Sequence, residues 1–296
     1  MSTAASTDGA ASAVSVAELI ESARRIEPLP ASVHRLTRLV ADPDSRLLDV
    51  VDAVSMDPAL ASALLRLANS PFCGSRSTII TVHEAVVRLG MERVHSLAMS
   101  IAVHGKVGRL ASPTLALRVW RHSVAAMIAA EELRTLLPGL PAETTTTALL
   151  HDVGTLVLAT ALTPNVVRMV ESAADLEGIS EPAAERRVLG IDHAEVGAIA
   201  AESWRLPDSI VDGIRHHHDE AHEVGDFFHL GVALADALAE QLGVDEETAT
   251  ADPPDWTVSP RVADLGAQLG VTPVELHALA ADTCDKLIPV LAQYTA

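Results

Sequence analysis

Helix-start signals recur along the whole chain, and they restrict its fold more than any other feature. A capping residue followed by proline occurs at Asp57-Pro58, Ser112-Pro113, Ser259-Pro260 and Thr272-Pro273. Such pairs begin helices, because the first side chain caps free backbone N–H groups and proline fits the first helical turn. Neither period-two alternation nor an Asn-Gly turn accompanies them, so strands and hairpins are not indicated. The sequence therefore predicts an all-α protein.

Two capping-box patterns add further helix starts. They are Thr81-x-x-Glu84, with Gly90 as the expected stop, and Asp192-x-x-Glu195. The residues from Thr144 to Leu162 are mostly apolar and are expected to form one buried helix. Aromatic residues supply only 2% of the chain, so its core must consist of Ala, Leu, Val and Ile. The Ala and Leu among these favour helices.

The net charge of −19 argues against nucleic acid and anionic membrane surfaces as partners, because both repel an acidic protein. No run of about 18 uncharged apolar residues is present, so no membrane span is expected. The opening residues, Met1 to Val14, lack the basic and apolar regions of a signal peptide. Cys73 and Cys284 are too few for a disulfide framework. These features predict a cytoplasmic protein.

The helix pattern suggests three consecutive parts. Residues 1–14 are expected to be a disordered tail, and residues 15–242 one packed unit. Within that unit, an N-terminal helical half covers residues 15–112 and a second bundle covers 113–242. Residues 243–296 are expected to form a linker and a C-terminal helical extension, whose Ala-rich helices could supply the contact face of a homodimer.

Histidines and carboxylates recur on successive helices of the second bundle. His151-Asp152 lies in the most apolar segment, where an ionisable pair costs several kcal/mol unless it is paired or bound. His122, His193, His217-His218 and Asp236 lie on other helices of the same bundle. Converging imidazoles and carboxylates are the ingredients of a divalent-metal site. A structural hydrogen-bond network around His151-Asp152 is the alternative.

Several ordered motifs resemble those of the HDOD (HD-related output domain) family. In the first half they are Leu29-Pro30, Asp57–Pro71 and Thr81–Gly90. In the second half they are Ala148–Gly154, Asp192–Gly197, Trp204–Pro207 and Ile214–His218. The order of the His and Asp residues also resembles the ligand order of the HD superfamily of metal-dependent phosphohydrolases. The resemblance covers about residues 18–240.

This resemblance implies an HDOD-type fold, in which the N-terminal helical half packs on an HD-like helical bundle. Its relation to the HD superfamily also implies a divalent-metal site (for iron, manganese or zinc), which is either functional or vestigial in this chain. The implied ligands are His122, His151, Asp152, His193, His217, His218 and Asp236. The chain departs from the HD-GYP branch at two points. Thr155 stands where that branch has a lysine, and no Gly-Tyr-Pro segment follows His218.

Two functions remain open. HDOD proteins are generally viewed as regulatory domains, so the resemblance implies a non-catalytic signal-transduction module that binds a signalling protein or a small ligand. The alternative is an HD-type phosphohydrolase that acts on a phosphodiester. Phosphoryl transfer needs positive charge near the phosphate, which Thr155 cannot provide, and this favours the regulatory module.

In the phosphohydrolase alternative, the ligands divide between two positions. One ion is held by His122, His151, Asp152 and Asp236, while a second ion or a phosphate is held by His193, His217 and His218. Asp192 or Asp219 would support these ligands from outside. Glu185-Arg-Arg-Val, the nearest approach to a basic patch, is expected to be a surface turn of an ordinary helix, which disfavours a DNA-binding regulator.

Overall fold

The computed structural model describes residues 14–69, 78–219, 226–243 and 257–294. Sixteen helices and no strand occur within these ranges, which confirms the predicted all-α class. Most of the predicted tail, and residues 244–256 at the start of the predicted linker and extension, lie outside the described residues. No helix of the described part has both the length and the apolar character needed to cross a bilayer.

The helices follow one another with short connections. The first six are α1 (Val16–Arg24), α2 (Ala31–Ala41), α3 (Leu47–Ser55), α4 (Pro58–Ala68), α5 (Val82–Leu89) and α6 (Met91–Lys106). The next five are α7 (Pro113–Leu136), α8 (Glu143–Leu150), α9 (Val153–Ala161), α10 (Pro164–Glu177) and α11 (Glu181–Leu189). The last five are α12 (His193–Ser203), α13 (Asp208–Arg215), α14 (Phe227–Gln241), α15 (Pro260–Leu269) and α16 (Pro273–Tyr294).

Most of the predicted caps are formed. Thr81 makes the reciprocal capping box with Glu84, and Ser112 and Ser259 accept hydrogen bonds from the first turns of α7 and α15. Asp192 caps α12 by accepting from the backbone of Glu195 at 2.9 Å. The capping box predicted there is only half present, because the Glu195 carboxylate accepts a hydrogen bond from Arg215 instead.

The single helix predicted from Thr144 to Leu162 is wrong, since the segment forms two helices with a turn at His151 and Asp152. The imidazole Nδ1 of His151 donates to the carbonyl of Ala148 at 2.7 Å. In a continuous helix that carbonyl would accept from the backbone of residue 152. The side chain thus competes for a backbone partner where the helix breaks, and the break lies at the predicted metal ligands.

The two halves are in contact, and the first helix and the last two helices pack on the second bundle. Helices α2 to α6 pack mainly on one another, and α6 contacts α8 of the second bundle. Helix α1 packs on α9 and α12, although it precedes the N-terminal half in sequence. At the other end, α15 packs on α14 and α16 packs on α7. The C-terminal extension therefore forms part of the surroundings of the second bundle.

A buried histidine in the N-terminal half should make stability depend on pH. The imidazole Nε2 of His95 on α6 lies 2.9 Å from Thr37 Oγ1 on α2, and only 5% of the residue is exposed. Burial lowers the pKa of His95 to about 4. The unfolded chain, with a histidine pKa of about 6.5, therefore binds this proton first as the pH falls. Stability present above pH ~6.5 should be lost progressively towards pH ~4, by roughly 2–3 kcal/mol.

Thermal melts of the parent and of His95→Gln between pH 7.5 and 4.5 check this expectation. Glutamine retains an N–H donor for Thr37 but does not titrate in this range. We expect the melting temperature of the variant to fall less steeply with decreasing pH than that of the parent. Parallel curves for the two proteins would show that His95 does not bind the destabilising proton.

Candidate metal centre

Five parts of the second bundle carry the seven predicted ligands to one place. His122 lies on α7, and His151 and Asp152 form the turn between α8 and α9. His193 begins α12, while His217 and His218 follow α13 and Asp236 lies on α14. The ligand atoms form two groups, in each of which all atoms lie within 4.8 Å of one another. The groups are His122, His151 and Asp236, and Asp152, His193, His217 and His218.

The first group is compact and buried. His122 Nε2 lies 3.1 Å from His151 Nε2 and 3.1 Å from Asp236 Oδ1. His151 Nε2 lies 3.3 Å from the same Asp236 oxygen. Two ligand atoms that each lie ~2.1 Å from one ion are about 3 Å apart at an octahedral angle. The spacing of these three side chains is therefore that of donors around a common ion.

Asp152 lies between the two groups. Its Oδ1 is 3.4 Å from His193 Nε2 and 3.6 Å from His217 Nε2. The same oxygen is 3.4 Å from His151 Nε2, and Oδ2 is 3.6 Å from His122 Nε2. The predicted division placed Asp152 with the first ion alone, whereas here its carboxylate faces both groups. A carboxylate has two oxygens with separate lone pairs, which suits it to bridge two positions.

Three histidines are oriented from outside the cluster in the same way. His151 and His217 donate from Nδ1 to the carbonyls of Ala148 and Ile214, both at 2.7 Å. His193 Nδ1 lies 2.7 Å from a carboxylate oxygen of Glu185, which also accepts from the backbone of His193 at 2.8 Å. A carbonyl or carboxylate partner fixes a proton on Nδ1 and directs the Nε2 atom of each ring into the cluster. Metal-binding histidines are typically held in this tautomer.

One buried nitrogen offers a further lone pair to a cation. His217 Nε2 is buried and has no hydrogen-bond partner among the described residues. Because Nδ1 of the same ring carries the proton, this nitrogen is an acceptor directed towards other acceptors. Buried polar atoms normally have partners, and a divalent ion would supply the missing one.

The ionisation states of the two carboxylates also suit a cation. Burial on its own raises the pKa of Asp152, but the neighbouring imidazoles of His151 and His193 hold it well below its usual value. Burial likewise raises the pKa of Asp236, and the contacts with His122 and His151 hold it well below its usual value. Both carboxylates are therefore ionised, which is the form that binds a metal.

The histidines of the second group differ in their titration. Burial lowers the pKa of His217 and holds that of His218 well below its usual value, so both rings are neutral. His193 differs, because hydrogen bonds to Asp152 and Glu185 outweigh burial and raise its pKa well above the usual value. Neutral imidazole is the ligand form, so an ion beside His193 must displace a proton.

A cavity of about 300 Å³ opens onto the ligand cluster and is rimmed by three arginines. Arg118 lies one helical turn before His122 on α7, which places both residues on one face. Arg186 comes from α11 and Arg261 from α15. The Arg261 guanidinium lies 3.2 Å from Asp236 Oδ2 and 3.5 Å from a carboxylate oxygen of Glu240. Thr155 also lines this cavity.

Several residues beside the cluster have other roles than those predicted. Glu185-Arg-Arg-Val is not merely a surface turn, because Glu185 is buried against His193 and Arg186 lines the cavity. Asp192 pairs with Arg186, and Asp219 contacts His216. Neither aspartate therefore supports a ligand directly; Glu185 does so instead. Its position eight residues before His193 gave no sequence signal, because the contact depends on how α11 packs against α12.

Comparison with known proteins identifies the family. A family model described as HDOD domain matches residues 26–220. An uncharacterized protein of Treponema pallidum (strain Nichols) is 28% identical over 240 residues, which are 80% of this chain and 45% of that protein. The chain thus spans less than half the length of this relative.

Two solved structures share the fold. The crystal structure of an HDOD domain protein with unknown function from Geobacter sulfurreducens is 25% identical with a TM-score of 0.71, over 94% of this chain and 97% of that one. The second is the crystal structure of a Shewanella amazonensis SB2B protein that is named as a proposed phosphohydrolase. It is 26% identical to this chain with a TM-score of 0.65, and the match covers 91% of this chain and 97% of that one. Asp236 and Arg261 lie after the residues that the family model matches. That match covers well over half of the sequence, and the chain belongs to the HDOD family.

Proposed function

We propose that this protein is a metal-dependent phosphohydrolase that acts on a small phosphate ester. The observation that carries the proposal is the orientation of His151, His193 and His217, whose Nε2 atoms surround the Asp152 carboxylate while outer acceptors hold their Nδ1 protons. His217 Nε2 adds support, because it is buried without a hydrogen-bond partner among the described residues and an ion would fill that position.

The ligand set divides around Asp152. His122, His151 and Asp236 would hold one ion, and His193, His217 and His218 would hold another, with Asp152 shared between them. The chemistry that divalent ions supply in such a centre is Lewis acidity at a phosphate oxygen and acidification of water. Histidine nitrogens with carboxylate oxygens suit iron, manganese and zinc better than calcium or magnesium. Glu185 keeps the His193 ring in the binding orientation.

The arginines at the rim supply the positive charge that Thr155 does not. Arg118, Arg186 and Arg261 line the cavity above the ligands, although the chain as a whole has a net charge of −19. Guanidinium groups bind phosphate oxygens through paired hydrogen bonds and stabilise negative charge that develops during hydrolysis. These arginines, from three other helices, weaken the main sequence argument against a hydrolase, which is the absent lysine.

The size of the site restricts the substrate. A volume of about 300 Å³ is at the lower end of small-molecule pockets. The ligand cluster lies at the bottom of this cavity, with Asp236 only 3% exposed. A small phosphate ester therefore fits better than a nucleic acid, which the acidic surface would also repel. The name of the Shewanella amazonensis relative agrees with a phosphohydrolase.

Metal analysis and turnover test the proposal. Protein purified without chelator should contain one or two equivalents of iron, manganese or zinc per chain by elemental analysis. It should hydrolyse p-nitrophenyl phosphate or bis(p-nitrophenyl) phosphate when manganese or ferrous iron is added, and lose that activity with a chelator. Protein that binds none of these metals, or turns over neither ester in their presence, would contradict the proposal.

A regulatory module is a second candidate, favoured by the surface of the N-terminal half. Four large apolar side chains on or beside α3 and α5 are more than half exposed, namely Leu48, Met56, Ile80 and Val87. Helices α3 and α5 pack on each other, and an exposed apolar patch formed across two neighbouring helices is typical of partner-binding surfaces. A signalling protein is the partner we propose for it. Stoichiometric metal without turnover of any ester would favour this function over hydrolysis.

A further inference from the structure

A second cavity, of about 350 Å³, adjoins the metal-centre cavity. The two cavities share Arg118, Thr155 and Glu181 as lining residues. Unlike the first cavity, the second is lined largely by aliphatic side chains, which are Leu115, Leu158, Ala159, Leu162, Val167 and Val170. A polar, arginine-rimmed chamber thus continues into an apolar one.

Helices α7 and α9 both extend from the metal-centre cavity to the apolar cavity, and the polarity of their lining residues changes in the same order. On α7, Leu115 lines the apolar cavity, Arg118 lines both and His122 lines the metal-centre cavity. These residues are spaced by three and four positions, so they share one helix face. On α9, Thr155 lines both cavities, and Leu158 and then Leu162, which immediately follows the helix, line the apolar cavity farther from Asp152. The order of aliphatic, shared and ligand residues is therefore the same on both helices.

The charges of the two cavities define which end of a ligand enters which. One end holds three arginines and the metal ligands beside Glu181 and Glu240, and an anionic group would be attracted there by the arginines together with a bound metal. Besides Arg118, the charged residues that line the apolar end are all carboxylates, namely Glu171, Glu181 and Glu185. Glu185 is engaged by His193, and an anion placed among the others would be repelled. The apolar end accordingly suits an uncharged hydrocarbon or aromatic group.

We infer that the substrate is a phosphate ester with an apolar organic group, held with its phosphate at Arg118 and the ligand cluster and its organic group between α7, α9 and α10. The phosphate end of this inference rests on the proposed function. The apolar end rests on the second cavity alone. Small polar phosphates, which would leave that cavity empty, should bind more weakly.

Binding of two phosphonates by the manganese-loaded full-length protein tests the inference without catalysis. Methylphosphonate and n-hexylphosphonate share the anionic group and are not hydrolysed. Each buried methylene contributes ~0.8 kcal/mol, a factor of about four in affinity. We expect n-hexylphosphonate to bind at least tenfold more tightly by calorimetry. Equal affinities would overturn the inference.

Variants of residues that line the second cavity test whether the hexyl group binds there. Ala159→Phe should fill the second cavity and abolish the preference for the hexyl compound, leaving methylphosphonate binding within about twofold. Thr160→Phe, on the next residue of α9 but outside the lining, is the matched control. Val167→Glu, at a position 36% exposed, should also remove the preference and keeps the test available if Ala159→Phe does not fold. A preference that survives in both folded cavity variants would overturn the inference.

Turnover measured on the same preparations separates the two proposals. A hexyl preference without hydrolysis of any ester would support the apolar binding site and contradict the phosphohydrolase. Hydrolysis with equal phosphonate affinities would support the phosphohydrolase and contradict the apolar site.

Discussion

Asp152→Asn is expected to remove most of the bound metal and to lower ester hydrolysis at least about a hundredfold. The carboxylate faces four imidazole nitrogens at 3.4–3.6 Å, so its negative charge is shared by both halves of the centre. Asparagine retains the shape but removes the charge and one acceptor oxygen. Loss of even an outer partner of a metal ligand typically costs 10–100-fold. Elemental analysis and the nitrophenyl ester assay measure the two effects.

Asp212→Asn provides the matched control for this substitution. Asp212 also contacts two histidines, His216 and His229, but it is 54% exposed on its side chain and belongs to neither ligand group. Its metal content and turnover should equal those of the parent. If Asp152→Asn keeps the metal content of the parent and only lowers stability by ~1–3 kcal/mol, the cluster is a structural hydrogen-bond network. Equal melting temperatures with and without chelator would support that outcome.

The convergence of these seven side chains could be predicted from one local signal and the order of the residues in the chain. His151-Asp152 is a polar pair within an apolar segment. The other histidines and Asp236 lie on the remaining helices in an order that resembles the ligand order of the HD superfamily. The turn at His151 was missed because both alternatives, one helix or two, have the same apolar composition. Only the contact between the His151 ring and the Ala148 carbonyl distinguishes them.

The groups around the ligands could not be predicted, because they meet through tertiary packing. Glu185 reaches His193 from a neighbouring helix, and Arg261 reaches Asp236 from the C-terminal extension. In the sequence, these residues are ordinary charged positions on amphipathic helices. Arg118 is the exception, since its spacing of four residues from His122 already places it on the ligand face. The local His-Asp motif therefore contains no cation, whereas three arginines line the folded cavity.

Gly154→Ala is expected to destabilise the protein by about 3 kcal/mol or more and to disrupt the metal centre. A Cβ atom at Gly154 would lie 1.8 Å from the backbone oxygen of His193 and 2.7 Å from the backbone nitrogen of Gly197. Both neighbours are backbone atoms of α12, so no side chain can turn aside to relieve the overlap. Helices α9 and α12 would have to separate, and such overpacking costs 1–3 kcal/mol or more.

The separation of α9 and α12 has a functional consequence that an ordinary core substitution lacks. Asp152 lies immediately before α9 and His193 begins α12, so moving the helices apart pulls one ligand away from the other. Thermal melts and metal analysis of Gly154→Ala should therefore show both losses. Gly105→Ala on α6 is the control, because its Cβ would meet only an arginine side-chain atom at 3.8 Å. Alanine is the better helix former, so that variant should gain up to ~1 kcal/mol of stability with its metal content unchanged. A Gly154→Ala protein as stable and metal-rich as the parent would show that the close approach of the two helices is not required for the centre.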